Sequence, residues 1–261
     1  MWTFETELQN IQVAGGKLIP KRKAVVRKDT GDVLGIVGND YHIVDHKEVV
    51  ETFDKVPGLE RKRVNVCRGG QIMFAEYDIT NSGMMAETEV DVGDVVKWGI
   101  RSFNSYNEMF GVGFEITGLR LKCTNGMKVK ESLSRLSYKH FKNVDINRIR
   151  QDVMNQMPHI ESTVETWRTW IKTKVTPTRI EEFFKKANIG KRLTKDIFEQ
   201  CVQQNEYLGV WGIFNEFTRY ITHDLAVRKE ENRVLAQRGK EQTILSKFYK
   251  FDWAKEEGLK K

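Results

Sequence analysis

VVKWGIRSFNSYNEMFGVGFEITGLRLKCTNGM, residues 95–127, decides the fold class. Val96, Trp98 and Ile100 alternate with Lys97, Gly99 and Arg101, the period-two pattern of a strand with one buried face. Residues 102–108 are polar and turn-prone, flanked by Phe103 and Tyr106. Phe110, Val112, Phe114 and Ile116 alternate again, with Gly111 and Gly113 between them. Leu119 and Leu121 interleave with Arg120 and Lys122 before Cys123-Thr-Asn-Gly126 stops the run. The stretch predicts a long antiparallel hairpin with a polar tip and a basic, glycine-thinned outer face. Its alternation places Leu119 and Leu121 in a core, with Arg120 and Lys122 on the opposite side.

Upstream, residues 1–20 read as a loosely ordered N-terminal extension broken at Gly15-Gly16. Residues 21–26 and 33–37 predict short strands around a KDTGD turn at 28–32. A short helix opens at Asp45 or His46 and ends at Pro57-Gly58. Residues 61–66 and 71–79 form a further strand pair turning at Arg68-Gly69-Gly70, and the acidic residues 81–94 read as a loop. From Lys128 the spacing turns helical. Asp145 caps a helix through Ile146, Ile149, Val153 and Met157 that Pro158 interrupts or bends. Thr176-Pro177 starts another and Thr194 caps a third. Residues 207–235 carry the longest helical pattern. Strands followed by helices predict an α+β fold, an N-terminal antiparallel β-sheet before a mainly α-helical half. The expected boundaries are an extension at 1–20, a β-rich region at 21–130 and a helical region at 131–261, the last two forming one integrated domain.

A chain of 261 residues can bury a sizeable core. No apolar run reaches the roughly 18 residues needed to span a bilayer. The start, MWTFETELQN, has acids and no apolar core, unlike a signal peptide. Cys67, Cys123 and Cys201 lie far apart without a CxxC, which predicts unpaired thiols in a cytoplasmic protein. The net charge of +7 is unevenly spread. Residues 1–130 hold 18 basic and 18 acidic residues, and residues 119–150 alone hold nine basic against two acidic. Such a local surplus is either a solvated face or the footprint of a polyanion site.

No GxGxxG or GxxxxGK[ST] occurs, so dinucleotide and P-loop chemistry find no support. Cys123, His223 and Asn215 could form a Cys-His-Asn set, but Cys123 lies in strand alternation, where cysteine is usually a small buried hydrophobe. The five histidines show no metal-ligand spacing, and no cofactor or metal is expected. Nucleic-acid binding fits the residues better, because a phosphate track needs several cations and single strands need aromatic faces. The hairpin supplies Arg101, Arg120 and Lys122, with Phe103 and Tyr106 at its tip. The next segment supplies Lys128, Lys130, Arg135 and Lys139, interleaved with Tyr138 and Phe141. Asn104, Asn107 and Asn125 could bond bases or phosphates, or shape turns.

Four blocks carry a family resemblance. They are Gly35-Ile-Val-Gly38 with Tyr41 and Val44, then Asn104-Ser105-Tyr106, then Arg120-Leu-Lys-Cys123-Thr-Asn125, and lastly Trp211-Gly-Ile-Phe-Asn215 with Thr218, Tyr220 and His223. In this order and spacing the chain resembles the phage/plasmid-like proteins defined by domain of unknown function 932, over roughly residues 22–250. Asn107-Glu108 stands where that family often carries Asp-Gly. The resemblance implies a mobile-element setting and no settled activity; in outline the platform is also similar to phage single-strand annealing proteins. In the fourth block Trp211, Asn215, Thr218 and Thr222 share one helical stripe with His223 beside its end, which predicts a buried polar network tying helix to sheet. The expected function is non-enzymatic single-stranded DNA binding or annealing in replication or recombination. The alternatives are a phage interaction protein acting on a host defence protein, and an enzyme using Cys123 or His223. The expected partner is single-stranded nucleic acid, DNA before RNA, with no membrane; a homo-oligomer and a host protein stay open.

Overall fold

The computed structural model describes residues 2–80, 85–121, 125–128, 135–138, 146–203 and 209–254. Strands β1 (Thr6–Gln12), β2 (Leu18–Arg27) and β3 (Val33–Gly38) form a small antiparallel sheet in that order. Helix α1 (His46–Asp54) follows. A seven-stranded antiparallel sheet comprises β4 (Leu59–Cys67), β5 (Ile72–Ile79), β6 (Glu87–Asp91), β7 (Asp94–Ser105), β8 (Val112–Arg120), β9 (Asn125–Lys128) and β10 (Arg135–Tyr138). The later part is helical: α2 (Ile146–Lys172), α3 (Pro177–Ala187), α4 (Lys191–Gln203), α5 (Val210–Arg219), α6 (Arg233–Lys240) and α7 (Ser246–Lys250). The fold is α+β. Among the described residues no helix is long and apolar enough to cross a membrane.

The hairpin read from residues 95–127 is the spine. β7 and β8 pair from Val96↔Arg120 to Phe103↔Gly113. β5 and β6 share the other edge of β7, β9 and β10 share the outer edge of β8, and β4 flanks β5. Val96, Trp98 and Ile100 are fully buried, together with Phe114 and Ile116 of β8, in one core with α1, α2 and α5. Trp98 stacks on Trp167 of α2 at 5.7 Å, and Trp167 meets Trp211 of α5 at 5.5 Å. Truncating one such ring to alanine typically costs about 3–5 kcal/mol. On the opposite face, α6 covers only the end of the sheet carrying Phe74 and Phe103, where Val234 joins their cluster.

Several local signals operate as read. Thr176 caps α3 by accepting from the Arg179 N–H, Pro177 sits in the first turn, and Asn188 ends the helix in the left-handed region. Other expectations are corrected. Residues 1–20 form β1 and the start of β2; Phe4 packs with Val25, Leu34 and Val37, too sparse a set to signal period two. The acidic loop contains β6, held by its pairing to β7. The region past Lys128 contains β10 before the helices begin. Helix α2 runs on through Pro158, which lies on the exposed side, while Ile149, Val153, Ile160 and Val164 on either side of it share one core. α4 starts before Thr194, whose hydroxyl bonds back to the Gly190 carbonyl. The long pattern at 207–235 breaks: α5 widens into a π turn at Tyr220–Asp224 and Leu225 is extended. Thr218 and Thr222 bond back to the carbonyls of Asn215 and Thr218, a habit that bends helices.

The faces of β8 are also corrected. Leu119 and Leu121 are 40% and 45% exposed, and Arg120 is 6% exposed. The parity set by Phe114 and Ile116 continues unbroken through Gly118 to Arg120. At Gly118 a Cβ would lie 2.8 Å from Val96, so that inward position carries no side chain for sequence to register.

Candidate nucleic-acid interface

The face of the large sheet away from the tryptophan layer carries Lys97, Gly99 and Arg101 of β7. Their register partners on this face are Asp78 and Glu76 of β5, and Leu119, Thr117 and Glu115 of β8. All of these but Glu115, which is fully buried beneath, floor a groove of about 580 Å³. Its helical wall is made by Thr222, Gln237 and Glu241. Thr222 belongs to the π turn after α5, and Glu241 opens a second π turn, Glu241–Leu245. Gln237 Nε2 donates to the Thr222 carbonyl at 3.0 Å and ties α6 to the first π turn.

Charges in the groove are arranged in depth. At the mouth Lys97 and Lys62 meet Asp78 at 2.8 and 3.2 Å, and Arg63 grips both oxygens of Glu76. Deeper, Arg101 reaches Glu115 at 3.2 Å and Glu241 at 3.1 Å. Arg238 approaches Glu115 at 3.3 Å, with its guanidinium over the Phe110 ring at 4.5 Å. Burial opposes the Arg101 charge, but the carboxylates of Glu241, Glu115 and Glu76 outweigh it and push the guanidinium pKa up.

Four expected contact residues are structural instead. Arg101 is buried in that ion cluster. Arg120 donates through Nε and Nη2 to both oxygens of buried Asp94, whose Oδ2 also accepts from Trp211 Nε1 at 3.2 Å. Asn104 is fully buried; its amide donates to the Val44 carbonyl at 2.8 Å and to His46 Nδ1 at 3.0 Å. The His46 ring proton therefore sits on Nε2 and goes to the Gly70 carbonyl at 3.0 Å. Tyr106 is also fully buried, and its hydroxyl accepts from the His46 N–H and donates to Asp45. Phe103, expected beside it at the tip, lies under α6. Phe103, Asn104 and Tyr106 lie inward because β7 continues as strand to Ser105 and both its faces are covered at that end. Asn125 and Lys128 stand on β9 opposite Arg120 and Thr117, and Arg135 on β10 opposite Glu115. Lys122, Lys130 and Lys139, like Cys123, lie outside the described residues. His223 is exposed in the first π turn.

The four sequence blocks pair off in space. Gly35 lies against the hairpin turn so closely that a Cβ would come 2.2 Å from the Tyr106 carbonyl oxygen, and Tyr41 donates to the Ser105 carbonyl. Arg120 of the third block and Trp211 of the fourth meet on Asp94. Asn215 donates to the Trp211 carbonyl, so much of the stripe's polarity is spent within α5, and Trp211 makes the reach to the sheet. A family model described as Domain of unknown function (DUF932) matches residues 33–240. The chain belongs to this family. The DUF932 match runs from β3 to the end of α6, so it includes the groove floor and leaves out β1 and β2. No curated protein and no solved structure matches the chain.

The groove-mouth cations Lys62, Arg63 and Lys97 did not stand out in the sequence; alternation in β7 was a signal for Lys97, whereas the neighbours Lys62 and Arg63 reach the groove through a bulge in the β4–β5 pairing that alternation does not show. Among the described residues no three His, Cys, Asp or Glu side chains converge as a metal site.

Proposed function

We propose that the protein is a non-enzymatic nucleic-acid-binding protein that lays a single strand along the open half of its large sheet, in the replication or recombination of a phage or other mobile element. One observation carries this reading. β9 and β10 attach the segment richest in basic residues to β8, the strand whose Thr117 and Leu119 line the groove. Residues 119–150 hold nine basic residues against two acidic, and the described parts of this stretch that bear Lys128 and Arg135 pair with β8 beside the groove. The mouth cations add to this: exposed ion pairs are worth about 0–1 kcal/mol each, so a phosphate competes for Lys62, Arg63 and Lys97 at small cost.

The test is a titration of labelled single-stranded and duplex DNA at two salt concentrations. Binding should weaken with salt, and Lys128→Gln or Lys130→Gln should each lower the single-strand salt slope by about 0.7. Absence of salt-dependent binding near neutral pH would overturn the proposal and leave an interaction with a host protein as the reading to pursue.

A further inference from the structure

The β1–β2 hairpin carries cations that the protein itself does not use. Residues 10–23, NIQVAGGKLIPKRK, contain Lys17, Lys21, Arg22 and Lys23 and no acid. None of the four makes an ion pair among the described residues, whereas Lys62, Arg63 and Lys97 at the groove are all paired.

Geometry sets the hairpin apart as well. β3 ends at Gly38 opposite Arg22, so the hairpin beyond that point is a ribbon two strands wide. Every residue from Gln12 to Arg22 is exposed. The tip is tight, closed by Val13 N to Lys17 O and Gly16 N to Val13 O, both 2.9 Å, with Gly15 and Gly16 at φ +99° and +84°. Behind it the register slips between Asn10↔Lys23 and Gln12↔Leu18, a bulge on β2 that contains Pro20 and Lys21, the latter at φ +60°. Bulges of this kind re-aim side chains. Val13, Leu18 and Ile19 are exposed among the cations.

We propose that this ribbon is a contact for duplex nucleic acid, distinct from the single-strand groove: the cations hold phosphates on either side of a groove and the apolar tip enters it. A two-stranded ribbon has the width that a duplex groove admits, and Leu, Ile and Pro are among the side chains that wedge against base steps. An unopposed cation row suits a polymer carrying one charge per roughly 1.7 Å of axis. Three apolar side chains broken by lysines offer too little apolar face for a lipid surface. The ribbon is rooted where Val25, Leu34 and Val37 pack on Tyr106 at the end of β7, while the groove lies at the strand's beginning. Both β1 and β2 precede the family match, so the ribbon is an addition to the shared core.

The full chain, Lys17→Gln/Arg22→Gln and Leu18→Ser/Ile19→Ser are titrated against a labelled duplex, a labelled single strand and anionic phospholipid vesicles. Thermal melting serves as the control for fold. The double cation variant should lower the duplex salt slope by about 1.8, so that raising salt from about 50 to about 200 mM costs it about 12-fold less affinity than it costs the wild type. The apolar variant should weaken duplex binding with its slope unchanged. Both should keep the wild-type single-strand slope, so a failure of the groove reading leaves the duplex readout intact. Absence of duplex binding by the wild type, equal duplex slopes for wild type and cation variant, or a loss confined to anionic phospholipid vesicles would each overturn the proposal.

Discussion

Arg120→Ala separates a scaffold from a binding surface. The side chains of Arg120 and Asp94 are 7% and 5% exposed, and the guanidinium spans both carboxylate oxygens. Removing it leaves a buried Asp94 charge with the Trp211 indole N–H at 3.2 Å as its described side-chain donor. Breaking a buried pair from one side costs about 3–5 kcal/mol, because the remaining charge has lost water and gained nothing. The guanidinium also lies 5.6 Å from the Trp211 ring, and that contact goes with it. Asp94→Ala should cost a similar amount by stranding the arginine. Asp94→Leu/Arg120→Met removes both charges and should recover most of the loss, since apolar replacements of a buried pair are often neutral or better. Urea unfolding followed by tryptophan emission gives the midpoint and slope separately. The folded Arg120→Ala protein should keep the wild-type salt slope on single strands. A stability loss under about 1 kcal/mol, or a slope lowered by about 0.7, would put the guanidinium on the surface and refute the reasoning.

Further outcomes follow from other packed positions. Gly35→Ala should destabilise by about 1–3 kcal/mol, because its Cβ would meet the Tyr106 carbonyl and the Asn107 Cα, backbone atoms that cannot swing aside; unchanged thermal melting would contradict this. Asn104→Ala should cost about 1–3 kcal/mol by leaving the Val44 carbonyl and His46 Nδ1 without their donor, as read by urea unfolding. Burial pushes the Cys67 thiol up to about 11. It should therefore resist iodoacetamide at pH 8 until the protein unfolds, and labelling of the native protein would count against its burial. The sign of its linkage is that the unfolded thiol ionises first. Its contribution is fully present below the unfolded pKa of about 9 and is lost as pH rises toward about 11, visible as a falling urea midpoint that Cys67→Ala reduces.

The parts legible in the sequence were those written locally. The β7–β8 hairpin, the β4–β5 turn at Arg68-Gly69-Gly70, the start of α1 at His46 and the Thr176 cap each depend on neighbours within a few positions. Four of the candidate contact residues, Arg101, Asn104, Tyr106 and Arg120, proved buried for the opposite reason. A basic residue in strand alternation reads as exposed unless its partner is known. The Arg101 partner Glu241 lies 140 positions away, and the Asp94 carboxylate that holds Arg120 also draws Trp211 from 117 positions away. Glycine hid a further step, since Gly118 made the inward row of β8 look finished two residues before Arg120. The short strands β6 and β10 are fixed by edge pairing rather than by any hydrophobic period of their own.

β7 is hydrogen-bonded along both edges, with opposite chemistries on its two faces, and so it proofreads its own alignment. A slip of one residue would turn Lys97 and Arg101 into the tryptophan layer and turn Val96, Trp98 and Ile100 out into the groove. Exposing the three apolar side chains would forfeit about 1.5–3 kcal/mol each. Stranding two cations without their carboxylates would add several kcal/mol apiece. The total is comparable to the roughly 5–15 kcal/mol by which a domain is stable at all. A misaligned hairpin is therefore not a rival folded state of this chain but an unfolded one, and strand errors made early in folding are erased rather than stored.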